Sequence, residues 1–230
     1  MNSIPEIRTG RLLAVTASLA LGLWADIHTD IVGQVAIGLA VWGLLLWLLA
    51  PLPPKARAVF LACVAIATAG ELFLSLGWGL YVYRLGNVPL FVPPGHALML
   101  LLGIALSRRL PEVASNAILA VAGAYALAAW GFGWDTLAVP LFLVIAVAVL
   151  AAPGHRKLFA STFTLCLSLE LYGTALGNWS WLHDVPWVGL VTTNPPALAG
   201  AFYCALDALV IAALAFPVVG ERRVVAVATT

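Results

Sequence analysis

GELFLSLGWGLYVYRLGNVPLFVPPGH, from Gly70 to His96, sets a carboxylate inside an apolar helix. A loop crowded with Trp, Tyr, Gly and Arg follows, and the chain re-enters apolar sequence through Pro93-Pro94 and a histidine. The same grammar returns as LELYGTALGNWSWLHDVPWVGLVTTNPPALAG, from Leu169 to Gly200. Two copies of one carboxylate–aromatic–proline device organise the reading of the whole chain.

Working outward, the 230 residues are 63% hydrophobic and 9% charged, with a mean hydropathy of +1.05. A water-soluble domain of this size cannot bury so much apolar surface, so the composition implies an integral membrane protein with little mass outside the bilayer. Nothing in it points to nucleic acid as a partner; the surroundings to expect are membrane lipids. Cys63, Cys166 and Cys204 fall inside apolar runs without metal or redox spacing and read as small packing residues.

Eight apolar segments can be marked: Leu12–Ala25, Ile31–Ala50, Ala58–Gly77, Phe91–Leu106, Val113–Gly131, Leu137–Ala152, Leu158–Gly177 and Pro195–Val218. Arg8, Arg11, Lys55, Arg57, Arg108, Arg109, Arg156, Lys157, Arg222 and Arg223 all fall on one side of these segments, against Arg84 on the other. That bias predicts cytoplasmic termini and an outward-facing aromatic device, as for a protein of a bacterial cytoplasmic (inner) membrane. The stretch LWLLAPLPPKARAVFLACVAIATAGELF aligns with VAVLAAPGHRKLFASTFTLCLSLELY, setting Glu71 against Glu170 and Pro51 against Pro153; Trp24 and Asp30 have counterparts in Trp130 and Asp135. The expected fold is therefore an all-α membrane domain of about eight transmembrane helices. It is built as two parallel four-helix repeats, about 11–108 and 113–218. Small residues at Gly33, Gly38, Gly173, Gly177 and Gly200 are expected to let helices approach closely.

At about 1.5 Å per residue, Glu71 and Glu170 lie roughly 20 Å from the cytoplasmic surface of a core about 30 Å thick. His96 enters from the outer side to a similar depth, and Asp207, counted from Pro195, reaches the midplane. Ionisable groups at such depths face a bundle interior and mark function, although a buried Glu can also serve packing alone. Helical spacing puts Thr68, Glu71, Ser75 and Trp78 on one stripe, Cys166, Glu170, Thr174 and Gly177 on another, and Gly200, Tyr203 and Asp207 on a third. The alternation in Tyr81-Val-Tyr83 and Trp179-Ser-Trp181 suits an extended hairpin or a re-entrant loop with one aromatic face. Such a face suits a long apolar ligand and developing positive charge. Asp26-x-His28-x-Asp30 has metal-compatible types but reads as solvated loop, so no metal centre is expected, and Asn178-Trp179-Ser180 matches the glycosylation sequon. Walker and dinucleotide glycine motifs, clustered histidine boxes, Asp-rich diphosphate motifs and an intramembrane Lys are all lacking.

Glu71, Gly77-Trp-Gly-Leu-Tyr81-Val-Tyr83, Val88-Pro89 and Val92-Pro93 resemble the carotenoid hydratase family, membrane enzymes that add water to the terminal double bond of lycopene-type or bacterioruberin-type carotenoids. Trp179-Ser-Trp181 followed by Gly189 and Asn194 is similar to that family's second run. The chain departs from it at His96, where the family has Trp, and at Glu170, where it has an Asp-rich stretch. The resemblance implies a membrane enzyme acting on a carotenoid-like or isoprenoid lipid by acid–base chemistry, hydration or cyclisation, without a cofactor. Glu71 is expected as the acid, Glu170 as its partner, and His96 or Asp207 as proton relays. Trp78, Tyr81, Tyr83, Trp179, Trp181, Asn194 and Tyr203 are expected to bind the substrate. A proton-coupled transporter or lipid-binding membrane module stands as the alternative.

Overall fold

The computed structural model describes residues 7–215. Each apolar segment forms a helix: α1 (Thr9–Asp26), α2 (Ile31–Leu49), α3 (Pro54–Glu71), α4 (Val92–Ser107), α5 (Glu112–Phe132), α6 (Ala138–Ala151), α7 (Arg156–Leu176) and α8 (Gly200–Ala215). Arg222, Arg223 and residues 216–218 of the eighth segment lie outside the described residues.

Helix ends follow from local chemistry. Asp30 caps α2 by accepting from the amides of Val32 and Gly33, both at 3.1 Å. Pro54 opens α3 and Pro93 stands second in α4, in the first turn, where a missing N–H costs nothing. Gly133 and Gly177 stop α5 and α7 in the left-handed region, at φ 78° and 86°. The eighth helix starts at Gly200 rather than Pro195, because Asn194-Pro195-Pro196 forms a bend and turn ahead of it. Asp207 is thus only seven residues into α8, about 10 Å from its N-terminal end.

α3 does not end at Glu71 but widens into a π-helical turn, Leu72–Trp78, closed by Gly79 at φ 76°. Seven residues at the α-helical period return to one face; the wider turn breaks that phase. The sequence stripe from Glu71 to Trp78 is therefore broken, and Trp78 leaves the face that Glu71 occupies.

Beyond the helix ends the two aromatic segments become strands: β1 (Tyr81–Tyr83) and β2 (Trp179–Trp181). They do not make separate hairpins as expected. Instead they pair antiparallel with each other, Tyr81 opposite Trp181 and Tyr83 opposite Trp179. The four rings point inward while Val82 and Ser180 are exposed. A smaller hairpin, β3 (Asp184–Val185) with β4 (Leu190–Val191), follows.

At the centre α3 packs on α4 and α8, and α7 packs on the same two helices. α1 and α2 lie against α4, α6 lies against α8, and α5 lies against α6 and α7. Phe60 of α3, Leu98 and Leu101 of α4, and Phe159 of α7 are almost wholly buried between them. Of the glycines expected at helix contacts, only Gly200 meets another helix, at the Phe163 backbone of α7. Gly38 faces Leu90 of a loop, Gly33 its own preceding Thr29, and Gly173 the Trp179 ring. Gly103 against Thr162 and Gly123 against Phe142 are the close helix contacts not anticipated from sequence.

Four helical stretches are long and apolar enough to cross a membrane: Ile31–Leu49, Pro54–Trp78, Glu112–Phe132 and Pro153–Leu176. Val92–Ser107, Ala138–Ala151 and Gly200–Leu214 are shorter apolar helices. Val113, Leu150 and Phe132 are each more than three-quarters exposed. An apolar exterior of this kind is consistent with an integral membrane protein.

Candidate active site

Glu71 is the last residue of α3 before the π-helical turn. Its Oε2 accepts hydrogen bonds from the hydroxyls of Tyr81 and Tyr83, both at 2.7 Å. Its Oε1 lies 3.2 Å from Nε2 of His96, whose Nδ1 is 3.0 Å from the Val92 carbonyl. On the other side Glu170 of α7 accepts through Oε2 from the indole N–H groups of Trp179 at 2.8 Å and Trp181 at 2.9 Å. Each half of the chain thus supplies a helical glutamate held by two aromatic donors from the strand that follows it. Because β1 pairs with β2, the aromatic donors stand side by side, with the Tyr81 and Trp181 rings 4.6 Å apart.

Both glutamates line one cavity, together with His96, Tyr81, Tyr83, Trp179, Trp181 and Tyr203. The cavity volume is about 250 Å³. Tyr203 stacks on His96 with ring centroids 4.8 Å apart and interplanar angle 13°. Apart from the carboxylates, the imidazole, Ser18 and the tyrosines, the wall is apolar, with Leu19, Val41, Phe91 and Leu206 among it.

Three of the residues expected at the site stand outside the cavity. The Trp78 indole donates to the Pro186 carbonyl at 2.9 Å, tying the π-helical turn to the second loop. Asn194 accepts from the Trp181 amide at 3.0 Å and donates to Ser180, which holds β2 in place. Asp207 is buried on α8, and its Oδ2 has no hydrogen-bond partner among the described residues.

A polar knot above the cavity escaped the sequence reading. Asp26, expected to be solvated, is buried and accepts from Gln34 Nε2 at 2.8 Å and Asn178 Nδ2 at 2.9 Å. Arg84 lies 3.5 Å from the same carboxylate, and its guanidinium also donates to the Asp26 and Thr29 carbonyls. Asn87 donates to Gln34 at 2.8 Å, and the Arg84 amide donates to the Asn178 carbonyl at 2.9 Å. The knot joins α1, α2 and both aromatic strands. It also buries Asn178, the asparagine of the glycosylation sequon. His28 is exposed and Asp30 caps α2, so the Asp26-x-His28-x-Asp30 run splits among separate tasks. Among the described residues no group of three or more His, Cys, Asp or Glu is placed to hold a metal ion. On the second half, Asp135 sits buried beyond α5 and accepts from the Tyr125 hydroxyl at 3.1 Å. Burial pushes its carboxyl above the ordinary aspartate range, outweighing that hydrogen bond.

No family model, curated protein or solved structure matches this chain.

Proposed function

We propose that this chain is a membrane-embedded enzyme that adds water to, or cyclises, an alkene of a long apolar isoprenoid or carotenoid-like lipid by acid–base chemistry. One observation carries the reading: two glutamates, Glu71 buried and Glu170 half-buried, one from each half and each held by two aromatic donors, line a single apolar cavity. An apolar wall selects a hydrocarbon chain, and the few polar groups in it are proton donors and acceptors. Aromatic faces beside them stabilise a carbocation. The doubling of the device supports eight spans arranged as two parallel four-helix repeats, in a bacterial-type inner membrane with both termini cytoplasmic.

The test is mass spectrometry of lipids that remain with the purified protein. A bound polyene or other isoprenoid is expected. Recovery of bulk phospholipid alone would count against the reading. A second reading, a proton-coupled transporter, is favoured by the buried Oδ2 of Asp207, unpartnered among the described residues. Proton flux driven by a solute gradient in liposomes would select it.

A further inference from the structure

We infer that the two carboxyls divide the work: Glu170 carries the proton given to the substrate, and the Glu71–His96 pair, held ionised, takes the proton of the incoming water. This rests on the reading of the cavity as an alkene-hydrating site, and it assigns roles within it.

The assignment comes from counting donors. An indole N–H donates and never accepts, so Oε2 of Glu170, facing two of them, cannot direct a proton at either. Any proton on Glu170 rides on Oε1, which has no hydrogen-bond partner among the described residues, and Glu170 lies on the cavity wall. Glu71 is surrounded differently. Two tyrosine hydroxyls donate to Oε2, and His96 faces Oε1. The Val92 carbonyl can only accept, so Nδ1 of His96 carries a hydrogen. A second hydrogen on Nε2 completes an imidazolium against a carboxylate. Two tyrosine hydroxyls and a backbone carbonyl supply the further hydrogen bonds that a buried ion pair needs.

Charge then decides the state of Glu170. His96 already offsets Glu71, and Arg84 is engaged with Asp26. The groups holding Glu170 are neutral indoles. A second uncompensated carboxylate in one apolar cavity is costly, and taking up a proton removes that cost.

The chemistry balances on this arrangement. The alkene π pair forms a C–H bond with the proton on Glu170 Oε1, whose O–H bond breaks to leave a carboxylate beside the new cation. A lone pair of water forms the C–O bond, and the water proton passes to Glu71. The product is an alcohol, and that proton returns to Glu170 through water in the cavity. No oxidant or reductant is involved. Total charge is unchanged at each stage, since Glu170 becomes anionic as the substrate becomes cationic.

Infrared spectroscopy of the purified full chain in phosphatidylcholine vesicles tests the assignment without substrate. The probe is the carbonyl stretch of a protonated carboxylic acid at neutral pH, recorded in an Asp207→Asn background to remove that group's contribution. The band is expected to vanish in Glu170→Gln and persist in Glu71→Gln. If either variant fails to fold, Trp181→Phe and Tyr81→Phe serve instead. Removing one indole donor should shift the band upward in frequency, and removing the tyrosine hydroxyl should leave it in place. A band lost with Glu71→Gln, moved by Tyr81→Phe but not Trp181→Phe, or absent from the parent overturns the assignment. Failure to find a bound isoprenoid would instead sink the hydratase reading and leave the protonation result intact.

Discussion

Gly173 lets a tryptophan lie flat across its own helix. A Cβ at this position would meet the Trp179 ring at 2.5 and 2.6 Å, a distance no relaxed pair adopts. Trp179 reaches Glu170 only by crossing that bare backbone. Gly173→Ala is therefore expected to displace the indole, break one of the two donors to Glu170, and cost about 1–3 kcal/mol through overpacking. The check is a red shift of tryptophan emission as the ring becomes more exposed, together with a loss of turnover larger than the fall in stability explains. Unchanged emission would mean that the ring is held by something other than this contact. At this scale much of the site was legible. Glu71, Glu170 and His96 stand out because a lone ionisable group in an apolar run needs a reason, and the aromatic alternation named Tyr81, Tyr83, Trp179 and Trp181. The role of Gly173 was not legible, since a glycine on a helix looks the same whether it meets a helix or a side chain. Nor was the place of Asn194, whose partners depend on where β2 lies.

At the level of elements, α1 and α5 each end beside a buried aspartate, and the two are expected to behave oppositely. Asp26 meets two amide donors and the Arg84 guanidinium. Asp26→Ala would leave Arg84 facing no acid and Asn178 short of an acceptor, at a cost of about 3 kcal/mol. Asp135 has a tyrosine hydroxyl and no cation. Its proton is bound more tightly in the folded state than in the unfolded chain, so its share of stability is fully present below the unfolded value and lost as pH rises through the folded one. Asp135→Asn keeps an oxygen for Tyr125 and removes the charge, so it should be neutral or stabilising at pH 7 and flatten the gain on mild acidification. Thermal unfolding in detergent at several pH values separates the pair. A marked destabilisation by Asp135→Asn at neutral pH would show that its charge has a partner after all. The knot that distinguishes these aspartates was out of reach of the sequence, because Asp26 and Asn178 lie 152 positions apart. The helices were legible, by contrast, since each apolar run had to satisfy its own backbone. The start of α8 moved furthest, from Pro195 to Gly200, and the π-helical turn changed the phase within its run, both through local backbone choices that periodicity does not report.

For the molecule as a whole, β1 and β2 line one end of the cavity through Tyr81, Tyr83, Trp179 and Trp181. The most exposed side chains on the cavity wall are Phe73 of the π-helical turn and Leu209 of α8, both more than half exposed on an apolar face. Entry past α3 from the lipid layer follows. Gly70 lies on that wall, where a Cβ would meet open space. Gly70→Leu should therefore fold normally and bind several-fold less isoprenoid; undiminished binding would place the entrance on another side. Orientation of the chain decides which compartment the knot faces. On the proposed orientation, Gly154, between α6 and α7, would lie in the cytoplasm and Val188, between β3 and β4, outside. Both are exposed, and a side chain at Gly154 would meet nothing within 4 Å. Cys63, Cys166 and Cys204 are buried, so the native chain offers a quiet background for thiol labelling. Single replacements Gly154→Cys and Val188→Cys should then react differently with a membrane-impermeant maleimide on intact cells. Val188→Cys is expected to label at once, and Gly154→Cys only after permeabilisation. The reverse pattern would invert the molecule while leaving α7 a span. Labelling of both from outside would remove α7 as a crossing. The parallel relation of the two halves depends on an equal number of crossings in each, and it would go with it.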